Sequence, residues 1–220
     1  MKEINVPYLG LSSHQPGLDE VSRVLDAIGL AHEIGTVNWP GYANKPEVTF
    51  KIGYGEQEIF LKFIVREHFV KAQMTRSNQQ VYEDSCVEFF VAPSNDGIYF
   101  NFEFNAIGTI LMGRGKSRHD DRLCDPAVIS HIRRSGTLGT EPFDERRGDQ
   151  LWELTVAIPY DIFLPEGMTS PAGVTIRANF YKCGDKLSHP HYLSWNPIET
   201  ESPDFHRPEY FGTLRFDPKI

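Results

Sequence analysis

The sequence has little cysteine, no excess of positive charge and no long apolar run, and each of these shortages argues against a class of protein. The three cysteines, Cys86, Cys124 and Cys183, are odd in number and widely spaced, which argues against a disulfide framework and a structural zinc site. Lysine and arginine total 22 against 30 acidic residues, for a net charge of −8. This balance disfavours nucleic acid and anionic membranes as partners and suits a neutral or cationic ligand.

Apolar segments as long as a signal peptide or a membrane span are also missing. The chain begins MKEINVPYLG, and no later segment approaches the length that crosses a bilayer. We therefore expect a cytoplasmic protein without a membrane partner, although a secreted chain trimmed of its signal would have the same composition. The oligomeric state is not determined by any of these features.

Short alternating segments are what the sequence has in abundance. They read VTFKIGY, IFLKFIV, CVEFFVA, IYFNFEFNAIG, TILMGRG, LWELTVAIP, VTIRANFYKC and YFGTLRF. Alternation of apolar and polar residues between Gly, Pro, Asn and Asp is typical of half-buried strands. The pattern predicts an all-β fold, a two-sheet antiparallel β-sandwich occupying residues 46–217 of a single domain that spans residues 1–220.

Two segments depart from this alternation. Within the N-terminal extension, residues 1–45, apolar residues recur at helical spacing in LDEVSRVLDAIGL, which predicts one short amphipathic helix. Residues 116–150 are rich in Arg, Asp, Gly and Pro. We expect that stretch to be a long irregular excursion on the surface of the sandwich, with one helix near residues 125–134.

The segment IYFNFEFNAIG has the cleanest alternation. Its phenylalanines share one face and are expected in the core, while Tyr99, Asn101, Glu103 and Asn105 share the other face. An aromatic ring, two amides and a carboxylate can bond the hydroxyls of a sugar if that face is concave. The alternative is a solvated outer face.

The segment VYEDSCVEFF places carboxylates beside and inside an apolar strand. Glu88 lies between Val87 and Phe89 and must point to the opposite side of the sheet. A carboxylate in that position either has buried partners or lines a cleft, because an unpaired buried charge costs several kcal/mol. Tyr82 would stand at the rim of the same face. The alternative treats Tyr82 and Glu83 as loop residues and Asp84 as a turn cap.

Near the C-terminus, the loop SPDFHRPEY is dense in aromatics and stiffened by Pro203 and Pro208. Prolines on both sides suggest that Phe205 projects in a fixed pose toward a partner. The alternative is that Phe205 seals the edge of the sandwich. Trp195, in the short apolar run YLSW, is assigned to the core.

An enzymatic interpretation would use Glu88 and Glu103 as the two carboxylates of a glycoside hydrolase, at a separation that sequence does not supply. The motifs GxSxG, HExxH and GxGxxG and a phosphate-binding P-loop are absent from the sequence. His189 and His191 are separated by a proline and make a weak metal candidate. We therefore expect no catalytic residues and no metal site.

The ordered segments EDSCVEFF, YFNFEFNAIG, LWELTVAIPY, RANFYKC and LSWNPIETESPDFHRPEYFGTLRF together resemble the carbohydrate-binding modules of family 9, and most closely the small stand-alone bacterial members. The resemblance runs from about residue 48 to residue 216. It implies a jelly-roll-like sandwich that binds a mono- or oligosaccharide without cleaving it. Other members of that family are attached to xylanases and other glycoside hydrolases.

The resemblance also implies a binding site in which a sugar lies between two aromatic rings. The rings fall on Tyr82 and Phe205, the carboxylate of the D-x-x-V-E pattern on Glu88, and the polar positions of the next strand on Asn101 and Glu103. The basic position after the second ring falls on His206.

Several positions depart from the family pattern. Xylanase-attached members have tryptophan at both ring positions and arginine where Asn101 stands, so the smaller rings offer less stacking area. The resemblance allows structural calcium, but no matching acidic cluster is present, and we expect no cofactor. Besides carbohydrate binding, two alternatives stay open: hydrolysis through Glu88 and Glu103, and a protein-interaction sandwich that docks a partner on Phe205.

Overall fold

The computed structural model describes residues 1–11 and 13–219, and it confirms the all-β sandwich. The strands are β1 (Glu3–Val6), β2 (His32–Glu33), β3 (Thr36–Val37), β4 (Glu47–Tyr54), β5 (Glu58–Ala72), β6 (Cys86–Ala92), β7 (Tyr99–Asn105), β8 (Ile110–Gly115), β9 (Arg122–Leu123), β10 (Arg133–Gly136), β11 (Phe143–Pro159), β12 (Thr175–Cys183), β13 (Tyr192–Ser194) and β14 (Gly212–Phe216). The α-helices are α1 (Leu18–Ala27) and α2 (Pro126–Ile129), and 3-10 helices cover Val81–Glu83, Tyr160–Glu166 and Pro208–Tyr210.

The strands form one sheet of nine and one of five. The larger sheet has the order β1-β14-β12-β6-β7-β8-β9, with β13 paired to β12 and β3 to β13, and the smaller has the order β10-β11-β5-β4-β2. Pairs of these strands are antiparallel, as predicted, except that β1 runs parallel to β14 at one edge. The N-terminal extension thus supplies three short strands as well as its helix.

The core between the sheets is built by the alternation that the sequence shows. Phe100, Phe102 and Phe104 are at most 2% exposed and lie in it together with residues of both sheets. Burying each such side chain contributes about 1.5–3 kcal/mol. Trp195 is 3% exposed and meets the Phe180 ring edge-on at 5.8 Å, which confirms its assignment to the core.

Helix α1 has the predicted amphipathic character. Val21 and Leu25 are fully buried, in a small cluster with Phe60 and Ala157 of the smaller sheet. No helix in the described part of the chain is both long enough and apolar enough to cross a bilayer.

The segment predicted to be irregular, residues 116–150, is irregular only in its first part. Strand β11 begins at Phe143 and pairs with β5 through two bulges before reaching the apolar run that starts at Leu151. Its first eight residues are half or fully exposed, so main-chain pairing continues there without the apolar alternation that would have marked a strand. The predicted helix near residues 125–134 is only α2, capped by the Asp125 carboxylate, which accepts from the Ala127 amide at 2.8 Å.

Candidate functional site

A cavity of about 320 Å³ opens on the outer face of the larger sheet. All six sequence-predicted residues line it: Tyr82, Glu88, Asn101, Glu103, Phe205 and His206. The β7 residues on this face, from Tyr99 to Asn105, are at most 4% exposed. The interpretation of this face as a solvated surface is therefore wrong. Chain segments outside the sheet cover it and leave the cavity between them and β6, β7 and β12.

Tyr82 is held at the rim by its backbone. It lies in the 3-10 helix before β6, and its carbonyl accepts from the Asp185 amide at 2.9 Å. The turn is anchored by Asp84, whose fully buried carboxylate accepts from the amides of Gln73 and Met74, both at 2.9 Å. Both amides lie directly after β5, so Asp84 links its turn to that segment and does not cap its own turn as the alternative expected.

Phe205 does not project from its loop as expected. Its ring is 7% exposed and stacks on Tyr181 of β12 with centroids 4.2 Å apart and planes 5° apart. The Tyr181 hydroxyl also donates to the Phe205 carbonyl at 3.1 Å. The ring therefore belongs to an apolar cluster on the outer face of the sheet, and part of its edge or second face lines the cavity.

Glu88 and Glu103 lie directly opposite each other on β6 and β7. They are 2% and 4% exposed. Burial raises the pKa of the Glu103 carboxyl to about 7, and burial together with the neighbouring Glu103 charge holds the pKa of Glu88 well above its ordinary value. Two like charges this close cannot both ionise cheaply. The pair therefore retains a proton at neutral pH.

Both carboxyls of this pair accept from side chains inside the protein, and Glu88 Oε1 also has the Cys86 thiol at 3.9 Å. The Cys183 thiol donates to Glu88 Oε1 at 3.1 Å, and the Asn101 amide Nδ2 donates to Glu103 Oε1 at 3.0 Å. Neither carboxyl is within salt-bridge distance of a cation among the described residues.

His206 lines the cavity but does not carry the charge that a basic position implies. Burial, and next the charge of Arg118, lower the pKa of the His206 imidazole to about 4. Its Nδ1 shares a hydrogen bond of 2.8 Å with the Tyr99 hydroxyl. The imidazole is neutral at physiological pH, and the positive charge at this cavity comes from Arg118 instead.

Six polar or aromatic lining residues were not identified from the sequence: Arg118, Asp121, Cys183, Asp185, Tyr192 and Asp204. Four of them lie in loops, and Cys183 and Tyr192 are the end residues of β12 and β13, where residue periodicity carries little information on direction. The adjacent acids Asp120 and Asp121 in the excursion were the one available signal. Cys183 was hidden because its partner strand position, Cys86, is distant in sequence.

Cys86, Glu88 and Cys183 place their Sγ and carboxylate atoms within 4.8 Å of one another. Metal binding would require thiolates. Burial raises the pKa of the Cys86 thiol to about 12 and that of Cys183 well above its usual range. Without a metal both thiols are therefore protonated, and a metal ion would have to displace these protons to bind.

Gly113 of β8 lies against two residues that line the cavity, Asn101 and Asp121. A Cβ atom at this position would stand 2.4 Å from Asp121 Oδ2 and 2.6 Å from Asn101 Oδ1. These distances are shorter than any normal contact, so only glycine lets both oxygens converge on this space.

Comparison with known proteins gives one family match and several similar solved structures. Residues 19–216 match the model of carbohydrate-binding family 9. A Bacteroides uniformis protein that is proposed to bind carbohydrate has a similar structure, with a TM-score of 0.94 and 40% sequence identity over 98% of this chain and 99% of that one. No curated protein matches the sequence.

Two more distant structures share the fold. Both are family 9 carbohydrate-binding modules from Caldicellulosiruptor kristjanssonii. The one solved with cellotriose has a TM-score of 0.56 at 12% identity, covering 100% of this chain and 95% of that one. The one solved with glucose has a TM-score of 0.53 at 13% identity, covering 100% and 97%.

Proposed function

Because the chain belongs to carbohydrate-binding family 9, we propose that its cavity binds a mono- or oligosaccharide without cleaving it. The observation that carries this proposal is the convergence of Tyr82, Glu88, Asn101, Glu103, Phe205 and His206 on one cavity. A volume of about 320 Å³ is at the small end of ligand pockets. It suits a single sugar unit, either free or at the end of a chain.

Aromatic rings give the cavity its apolar contacts. Tyr82 is half-buried at the rim, while Phe205 is backed by Tyr181 and can offer the sugar only the surface that Tyr181 does not cover. Rings held this way lose little conformational freedom on binding, which favours affinity. The apolar C–H face of a pyranose would pack on them.

Polar groups on the floor would bond the sugar hydroxyls. Glu88 and Glu103 retain a proton between them, so the pair can both donate and accept. If the Tyr99 hydroxyl donates to His206 Nδ1, the remaining ring nitrogen, Nε2, carries a hydrogen and can donate to an oxygen of the ligand. Glucose and cellotriose, found in the two distant modules, are the first ligands to measure.

Substitution Tyr82→Ala is expected to weaken saccharide binding at least tenfold, because the ring provides the more accessible apolar contact. Tenfold corresponds to about 1.4 kcal/mol. Calorimetric titration with glucose and cellotriose measures the effect. Tyr82→Phe should keep most of the affinity, and Tyr8→Ala, another half-buried tyrosine that does not line the cavity, should leave it unchanged. Unaltered binding by Tyr82→Ala would contradict the site assignment.

Substitution Gly113→Ala is expected to abolish measurable saccharide binding while the protein stays folded. The added methyl group would displace the Asn101 and Asp121 side chains, which line the cavity, and so change the position of two of its polar groups. Gly41→Ala is a matched control, since a Cβ at this exposed position meets nothing within 4 Å. Normal affinity in Gly113→Ala would mean that the ligand binds elsewhere.

The two alternative functions receive no support from the geometry. Glycoside hydrolysis needs carboxyl groups on two sides of the scissile bond, whereas Glu88 and Glu103 are neighbours on one face of one sheet. Docking of a protein partner was inferred from a projecting Phe205, and that ring is buried.

A further inference from the structure

Three oxygen acceptors at the cavity floor have no hydrogen-bond partner among residues 1–11 and 13–219. They are Asn101 Oδ1, Glu103 Oε2 and Asp121 Oδ1. Asn101 and Glu103 are 0% and 4% exposed. Leaving a buried polar atom unpaired costs about 1–3 kcal/mol, and more if it is charged. Three such atoms in one cavity point to a ligand that supplies donors.

These acceptors are close together. Asn101 and Gly113 face each other on β7 and β8, and the oxygens of Asn101 and Asp121 converge on the space above Gly113. The Asn101 amide reaches Glu103 through the 3.0 Å hydrogen bond from its Nδ2 atom. The three side chains therefore follow one another along the cavity floor, with Asn101 between Asp121 and Glu103.

The cavity is also short of positive charge. Five carboxyl side chains line it: Glu88, Glu103, Asp121, Asp185 and Asp204. The cationic side chain among the lining residues is Arg118. It is 56% exposed, and its Nε lies 3.2 Å from Asp204 Oδ1. His206 is neutral, as described above. The other four carboxyl groups have no cation within salt-bridge distance in the described chain.

The pKa values of four of these carboxyl groups are raised. Burial is the largest cause that raises the pKa of Glu88, of Glu103 to about 7, of Asp121 and of Asp185 to about 6. Without a ligand the site keeps protons that a cation could replace.

We propose that the ligand is an amino sugar, and that its protonated amine binds at the oxygens of Asn101, Glu103 and Asp121. This inference rests on the proposed saccharide function and narrows its ligand class. An ammonium group has three N–H donors and a positive charge, which match three unpartnered acceptors in an acidic cavity. A hydroxyl at the same place has one donor and no charge, and would leave the buried carboxyls in need of protons.

Binding of the amine displaces protons from the site. The ammonium favours the ionised form of Glu103 and Asp121, so protons retained in the free protein are released to solvent. The other charged or titratable groups that line the cavity are Glu88 from β6, Cys183 from the end of β12, Asp185 from the turn after it, Tyr192 from β13, Arg118 from the excursion, Asp204 and His206 from the C-terminal loop, and Tyr82.

The test is calorimetric titration of the full chain with glucosamine, glucose and N-acetylglucosamine at about pH 6.5, in two buffers of different ionisation enthalpy. Glucosamine is expected to bind at least tenfold more tightly than either neutral sugar, with net proton release. N-acetylglucosamine controls for size, since its amide carries no charge. In Asp121→Asn and in Glu103→Gln the preference for glucosamine should shrink several-fold, while Asp19→Asn, an exposed control, should preserve it.

The outcomes separate this inference from the function on which it rests. If glucose binds as well as glucosamine, and Tyr82→Ala removes that binding, the amine site is wrong and the saccharide function stands. If none of the three sugars nor cellotriose binds, both are wrong. Binding of calcium chloride without binding of glucosamine would replace the amine with a metal ion and would also overturn the proposal.

Discussion

Substitution Lys182→Met is expected to lower the free energy of unfolding by about 3–5 kcal/mol. Lys182 points between the two sheets from β12, is fully buried, and lies 3.0 Å from Glu67 Oε2 of β5. Its ammonium also contacts His191 Nε2 and donates to the Cys183 carbonyl, both at 2.9 Å. Methionine has a similar volume but no charge, so the Glu67 carboxylate would be left buried without a cation.

Chemical denaturation followed by intrinsic fluorescence measures this loss. The double variant Lys182→Met with Glu67→Gln should recover at least half of it, because glutamine removes the unpaired charge and can still accept from Trp152 Nε1, now 2.8 Å from Glu67. Lys45→Met is the surface control. Its ion pair with Glu33 is about half exposed on both sides, and its loss should cost less than about 1 kcal/mol. Equal effects of the two lysine substitutions would contradict the argument.

The second large effect is a fall in stability as the pH rises from about 5 to about 7.5, caused by Glu103 and Glu88. In the folded protein the pKa of Glu103 is raised from 4.5 to about 7, and that of Glu88 is also raised. Between those pH values the folded state holds more protons than the unfolded state, so unfolding becomes easier as the pH increases. Each such group contributes up to about 1.4 kcal/mol per pH unit.

The comparison of wild type with Glu103→Gln isolates this contribution. Buried His191 and His206 have lowered pKa values and contribute the opposite slope, which largely cancels in the difference between the two proteins. Glutamine resembles the protonated carboxyl, so the variant should gain about 2–3 kcal/mol relative to wild type between pH 5 and pH 7.5. Urea titrations at both pH values give the numbers. Exposed Glu141→Gln should show no such gain, and a pH-independent difference for Glu103→Gln would contradict the raised pKa.

Alternation of apolar and polar residues was sufficient to predict most strands. It placed Phe100, Phe102 and Phe104 in the core and directed Asn101, Glu103 and Glu88 to the other face, because successive residues of a strand point to opposite sides. Alternation did not predict the first half of β11, because that half is exposed and has no apolar face.

The arrangement of residues around the cavity was harder to predict from the alternation of apolar and polar residues. The pattern of residues identified Tyr82 and Phe205 as site candidates, but it also suggested that Phe205 projects. Stacking on Tyr181 depends on the path of the C-terminal loop across β12, and no local periodicity encodes that path. The same holds for Asp121 and Asp185, which reach the cavity from loops.

The order of residues along the chain was therefore enough to establish the sandwich and the faces of its strands, including the face that carries Glu88, Asn101 and Glu103, because strand geometry is local. His206 and the pairing of Tyr82 with Phe205 came from the resemblance to carbohydrate-binding family 9. Tertiary structure alone decided the electrostatics. Burial makes His206 neutral and keeps a proton on the pair of Glu88 and Glu103. Folding also brings Lys182 and Glu67 together across the two sheets. Charge states depend on burial and on neighbours distant in sequence, and both exist only once the chain has folded.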